Sequence, residues 1–228
     1  MHHVIMGFRF LKRKQGKYMD PYYRQQNNSL KSMLTPVNTV IIALNILVFL
    51  WLSITGSTLD VQFMYEHGAS YWPAVIYDHE YYRLLTCTFL HFGFTHLLNN
   101  MLVLAFIGDN LERALGSVRY AWLYLLCAVG SSAILIAWNI YTGAFQLSAG
   151  ASGAIFGVVG ALVVILIRNH GRLEDLSTRQ LLLFALFSVY HGIASAGIDN
   201  AAHIGGFAVG ALLALILYRP GRTRQKRT

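Results

Sequence analysis

Apolar residues in this chain gather into six windows, at 37–54, 95–108, 118–141, 152–167, 181–194 and 203–218, separated by polar or basic connections. An α-helix needs about 20 apolar residues to cross the hydrocarbon core of a bilayer, so the pattern predicts six membrane helices. Several windows fall short of that length. A helix of about 15 residues must thin the bilayer or be enclosed by other helices, so the short windows predict a compact bundle that admits water.

Composition supports this reading. Of 228 residues, 55% are hydrophobic and 12% charged, too apolar for an ordinary soluble domain of this size. The expected fold class is an all-α polytopic membrane protein. The net charge of +8 could indicate nucleic acid, but the basic residues sit in short blocks between the windows rather than along one aromatic and basic surface. They suit the flanks of membrane helices, with the lipid bilayer as partner and no nucleic acid.

Charge also orients the helices. Lys and Arg number seven before the first window, one in 56–94, two in 109–119, none in 142–151, three in 168–180, none in 195–202 and five after 217. By the positive-inside rule both termini are cytoplasmic, and the first, third and fifth connections lie outside. The expected organisation is a basic cytoplasmic segment at 1–36, a six-helix core at 37–218 with a long outside loop at 55–94, and a basic cytoplasmic tail at 219–228. The loop carries Trp72 and a tyrosine cluster at Tyr65, Tyr71, Tyr77, Tyr81 and Tyr82, amphipathic rings that suit the membrane–water interface. The first window follows a long polar lead with no cleavage site, so it reads as an anchor, not a removable signal peptide. Met19 offers an alternative start, which leaves open whether residues 1–18 belong to the natural chain.

Three constellations could carry chemistry. In Gly150-Ala151-Ser152-Gly153-Ala154-Ile155-Phe156-Gly157 a serine opens the fourth window from an outside connection. The free N–H groups of a first helical turn can stabilise an oxyanion there, and glycines let a substrate backbone approach. By itself so short a motif reads more readily as a helix cap with small packing residues. The second is His203, which opens the sixth window from the same side. At 100° per residue His203, Gly206 and Gly210 share one face, and Gly153, Gly157 and Gly160 share a face beside Ser152. Two small-residue faces permit close helix contact and would bring hydroxyl and imidazole together. The third is His96 and Asn100, four apart and so stacked on one face, as oxyanion donors or as interhelical polar contacts.

These residues together resemble the rhomboid intramembrane serine proteases, over roughly 37–218. The resemblance implies a six-transmembrane-helix bundle in which the GxSG serine, Ser152, is the nucleophile and the histidine of the AHxxG segment, His203, the general base. It implies oxyanion support from the HxxxN pair His96 and Asn100 and from Gly150, and an aromatic at Phe156, often tyrosine in the family, packing on the base. A Trp-Arg pair of the family's first loop is matched by Tyr82-Arg83, a departure that touches only the loop's packing. Its Gly-x-x-x-Glu stretch is matched by Gly108 to Glu112.

The expected function is therefore endopeptidase action by a Ser-His dyad on transmembrane segments of other proteins, in a bacterial plasma membrane, with the site opening outside. The rival expectation is a rhomboid-like protein that binds such clients without cutting them. A small transporter is disfavoured by the lack of an inverted repeat. Asp199 is expected to cap the sixth helix, and Gly192 and Gly197 make the fifth helix a candidate gate. His67, His79, His91, His170 and His191 show no ligand spacing, and Cys87 and Cys127 no pairing motif, so neither metal nor cofactor is expected. His91 is expected to pack. Oligomeric state is not legible.

Overall fold

The structure, a computed structural model, describes residues 35–169, 172–173, 176–177 and 200–219. Its elements are α1 (Pro36–Thr55), α2 (Val61–Glu66), α3 (Trp72–Ile76), α4 (Arg83–Thr86) running into a short 3₁₀ turn (Cys87–Phe89), α5 (Phe94–Leu115), α6 (Ser117–Thr142), α7 (Ser152–Arg168) and α8 (Asn200–Leu217). A two-residue antiparallel pair, β1 (Arg172–Leu173) with β2 (Leu176–Ser177), interrupts an otherwise helical architecture. The expected fifth helix at 181–194, with Gly192, Gly197, Asp199, His170 and His191, lies outside the described residues.

Helices α1, α6 and α8 are long and apolar enough to cross a membrane. A fourth span arises if the segment Arg83–Phe89 is counted with α5, across a bend of 93°. At 17 residues α7 is shorter, about 25 Å long at 1.5 Å per residue. It solves this by burial on every side: Gly153 through Leu162, with Ile165 and Leu166, are all inside. The exposed large side chains instead belong mainly to the outer helices, among them Leu47, Trp51 and Ile54 on α1 and Trp122, Trp138 and Tyr141 on α6.

Helix α5 runs seven residues beyond the apolar window that predicted it. The window ends at Gly108 because Asp109 and Glu112 are charged, yet both are buried and the helix continues because their carboxylates have partners inside the bundle. Glu112 accepts the N–H of Val37 at 3.1 Å and of Asn38 at 2.7 Å, so it supplies from another helix the cap that the first turn of α1 needs. Ser117 Oγ donates to the same carboxylate at 2.6 Å. Asn38 Nδ2 donates to Asp109 at 2.8 Å and to the Leu104 carbonyl at 3.1 Å, and Tyr120 OH donates to Asn38 Oδ1 at 2.7 Å. Gly108 makes room for this network, since a Cβ there would lie 2.2 Å from Asn38 Oδ1.

The two glycine faces expected to meet do so. A Cβ on Gly206 would stand 2.0 Å from the Gly153 carbonyl oxygen, and one on Gly210 would stand 1.9 Å from that of Gly157. Only hydrogen fits at that separation, so these glycines set how closely α8 can lie against α7.

Candidate active site

The connection from α6 to α7 is held as an extended strap by the long first connection. Ser70 and Ser148 exchange backbone hydrogen bonds of 2.8 and 2.9 Å, and the Trp72 indole donates to the Ala144 carbonyl at 2.9 Å. Gly150 N–H donates to the Cys87 carbonyl at 2.9 Å. Gly150 has φ of +143°, a conformation that favours glycine. The turn there delivers Ala151 as N-cap and Ser152 as the first residue of α7.

Ser152 Oγ and His203 Nε2 lie 2.9 Å apart. His203 sits one turn inside α8, because that helix begins at Asn200 rather than at the apolar window's first residue. Its ring stacks on Phe156 with centroids 4.3 Å apart and planes 11° from parallel. Phe156 reaches it because four residues advance a helix by about 40° and one turn. If Nε2 accepts from the serine hydroxyl, the ring proton is on Nδ1, which has no hydrogen-bond partner among the described residues. A hydroxyl and an imidazole are thus joined, with ring packing and no third polar partner among the described residues.

His96 and Asn100 close on the strap from α5. A Cβ on Gly150 would lie 2.8 Å from His96 Cε1 and 3.8 Å from Asn100 Nδ2. The absent side chain is therefore what lets the His96 imidazole approach the backbone before Ser152, while the Asn100 amide lies at ordinary contact distance. Asn100 Nδ2 is buried with no hydrogen-bond partner among the described residues. Ser152, His203, His96, Asn100, Gly150 and Phe156 all line one cavity of about 1000 Å³, which also takes in Cys87, Ser131 and Ser132 of the wall beneath the strap. All six candidate residues converge here from α5, the strap, α7 and α8, at sequence separations no local pattern connects. The cavity can hold an extended backbone at the serine, and the first turn of α7 turns its N–H groups and positive dipole end toward a developing negative charge.

Arg83 supports the strap indirectly. Its guanidinium donates to the carbonyls of Tyr65 and Ala69 at 2.6 and 2.9 Å and pairs with Glu80, over the Tyr65 ring. The hydrogen bond from Arg83 holds the Glu80 carboxyl below its ordinary pKa range. Tyr82 itself is exposed. Among the described residues no group of three or more His, Cys, Asp or Glu side chains could hold a metal ion.

His91 packs, as expected, but its partners were not legible in the sequence. His91 is fully buried under the strap, with Nε2 accepting the Ala151 N–H at 3.4 Å and its ring edge-on to His96, centroids 5.1 Å apart. No spacing in the sequence signals this, because His91 and Ala151 are 60 residues apart.

A profile of the Rhomboid domain matches residues 78–220, more than half of the chain. The chain belongs to the rhomboid family. Among relatives of this rhomboid, Rhomboid protease GluP of Bacillus subtilis (strain 168) is 35% identical over 179 residues, covering 78% of this chain and 34% of that protein. RHOMBOID-like protein 4 of Arabidopsis thaliana is 40% identical over 144 residues, covering 63% of this chain and 36% of that protein. Inactive RHOMBOID-like protein 8 of Arabidopsis thaliana is 36% identical over 146 residues, covering 62% and 40%. The chain thus spans about a third of the length of these curated relatives. Family membership and the apolar helices together make this rhomboid an integral membrane protein.

Proposed function

We propose that the protein is an intramembrane serine endopeptidase that hydrolyses peptide bonds in or near transmembrane segments of other membrane proteins. The observation that carries this reading is the 2.9 Å hydrogen bond between Ser152 Oγ and His203 Nε2 at the start of a buried helix. A relative named inactive matches about as well as one named a protease, so likeness alone does not separate catalysis from client binding. The joined nucleophile and base, with an unpartnered amide donor beside them, favour catalysis.

His203 removes the Ser152 proton as Oγ attacks the scissile carbonyl carbon. The oxyanion takes hydrogen bonds from the Ser152 N–H, Asn100 Nδ2 and His96. His203 then returns its proton to the leaving amine, and water, activated by the same imidazole, releases the acyl group from Ser152. Orientation of the imidazole comes from the Phe156 ring, which makes this a dyad.

In this reading the core at 37–218 forms six membrane helices with 55–94 outside. The basic segments 1–36 and 219–228 are cytoplasmic, and the site opens to the outer side. The alternation of Lys and Arg supports that orientation. The test is cleavage of a labelled transmembrane substrate by the reconstituted protein beside its Ser152→Ala and His203→Ala variants. Wild type cuts and neither variant does; cleavage that survives either substitution removes the dyad.

A further inference from the structure

Ser152 takes its position from Ala151, and Ala151 cannot fix itself. A helix N-cap residue usually anchors its turn through a side-chain oxygen, but Ala151 has no such group, and α7 begins without a side-chain cap. The residue before it, Gly150, is conformationally the loosest type available. The Ala151 carbonyl takes the Ile155 N–H at 3.0 Å from within α7, so it is the peptide units before the Ala151–Ser152 peptide that something outside the helix must hold.

Two contacts from the segment preceding α5 do so. The Cys87 carbonyl takes the Gly150 N–H at 2.9 Å, and His91 Nε2 takes the Ala151 N–H at 3.4 Å. The second is long for a hydrogen bond and therefore has room to shorten. The same imidazole lies edge-on to His96 at 5.1 Å and 69°. His91 thus touches both halves of the anion site: the backbone that supplies its N–H and the side chain on its far wall. It is fully buried and does not line the cavity, so it reaches no substrate.

Resting on the hydrolase reading above, we propose that His91 is a positioning residue for the oxyanion site, its Nε2 holding Ala151 so that the Ser152 N–H points at the developing charge. For Nε2 to accept, the ring proton sits on Nδ1. Loss of the acceptor frees the Ala151 peptide to rotate about Gly150. A displacement of about 1 Å at such a site costs on the order of 10²-fold in rate.

Two substitutions separate hydrogen bonding from packing. His91→Phe keeps a flat ring against His96 but has no acceptor. His91→Gln loses the ring but places an amide oxygen near the position of Nε2. The full chain in lipid vesicles is treated with a fluorophosphonate, and both the labelled fraction at saturation and the rate constant of labelling are read. Steady-state cleavage of a transmembrane substrate accompanies them, with Ser152→Ala as the unlabelled control.

The expected result for His91→Phe is an unchanged labelled fraction, with the labelling rate constant and kcat both lowered about 10- to 10²-fold and KM within about twofold. His91→Gln recovers most of that loss. If the labelled fraction falls while the rate constant of the labelled molecules stays at the wild-type value, His91 serves only folding and the proposal is overturned. It is equally overturned if Phe and Gln behave alike. Should wild type itself take no label and cut nothing, the hydrolase reading fails first, and the positioning role falls with it.

Discussion

Helix α5 carries two polar clusters about 20 Å apart along its axis, and they are built to opposite ends. Near its start, His96 and Asn100 face the strap and a cavity of about 1000 Å³, and Asn100 Nδ2 has no partner among the described residues. Three turns on, Asp109 and Glu112 sit in a network with Asn38, Ser117, Tyr120 and the first N–H groups of α1. There the amide, hydroxyl and backbone donors named above meet acceptors, and the helices are tied together. A buried donor left open costs stability, of order 1–3 kcal/mol, and is retained where its partner arrives only with substrate. A closed network instead fixes the packing of three helices and leaves nothing over for a ligand.

If the comparison is right, substitutions at the two clusters divide cleanly between activity and stability. Ser152→Ala and His203→Ala have the largest effect, at least about 10³-fold in kcat, with the unfolding midpoint in detergent little changed. A large loss of stability in either would break the distinction. Glu112→Ala strips the cap from α1 and leaves buried donors unpaired, so it destabilises by about 3 kcal/mol or more. Molecules that remain folded, counted by fluorophosphonate labelling, react at the wild-type rate.

Asn100→Ala removes an amide that has no ground-state partner. It lowers kcat about 10²- to 10³-fold, leaves KM near its original value and costs little stability. The same substitution costing several kcal/mol in an unfolding titration would show that the amide is structural after all. Phe156→Ala unstacks the His203 ring and lowers kcat about tenfold, in keeping with about 0.5–1.5 kcal/mol for an aromatic pair.

The smallest effect is a pH dependence beyond the spans. The Glu80 carboxyl has its pKa lowered by the hydrogen bond from Arg83. A group with a depressed folded-state pKa contributes stability that is present above the ordinary carboxylate range and lost as pH falls through the folded value. Glu80→Gln therefore flattens the acid side of the stability profile and leaves stability at neutral pH nearly unchanged, since the Glu80 carboxylate is partly open to solvent and buried Arg83 keeps the Tyr65 and Ala69 carbonyls.

Much of the helical layout was legible because apolar length is a local property. The windows at 37–54, 118–141 and 152–167 match α1, α6 and α7 to within one residue at each end. The glycine spacing on α7 and α8 was legible for the same reason, since a face is fixed by 100° per residue. The window ending at Gly108 stopped short because charge was taken as the end of a helix. Whether a charge ends a helix depends on partners supplied by Asn38 and Val37, some 70 residues earlier. The packing of His91 was expected, but its hydrogen-bond partner was not legible for a like reason, being set by where the strap passes.

By itself, then, the sequence determined an apolar chain of helices, the faces those helices could offer each other, and six residues able to form a rhomboid site. The first two follow from composition and periodicity, which act over a turn or two of helix; the six residues follow from motifs that resemble those of the rhomboid family. Only the tertiary structure decided that Ser152 Oγ lies 2.9 Å from His203 Nε2, that Phe156 lies flat on that ring, and that Glu112 caps α1. It alone placed His91 beneath Ala151. Distances between groups 47 to 74 residues apart are fixed by how helices pack, and packing is a property of the whole bundle rather than of any segment within it.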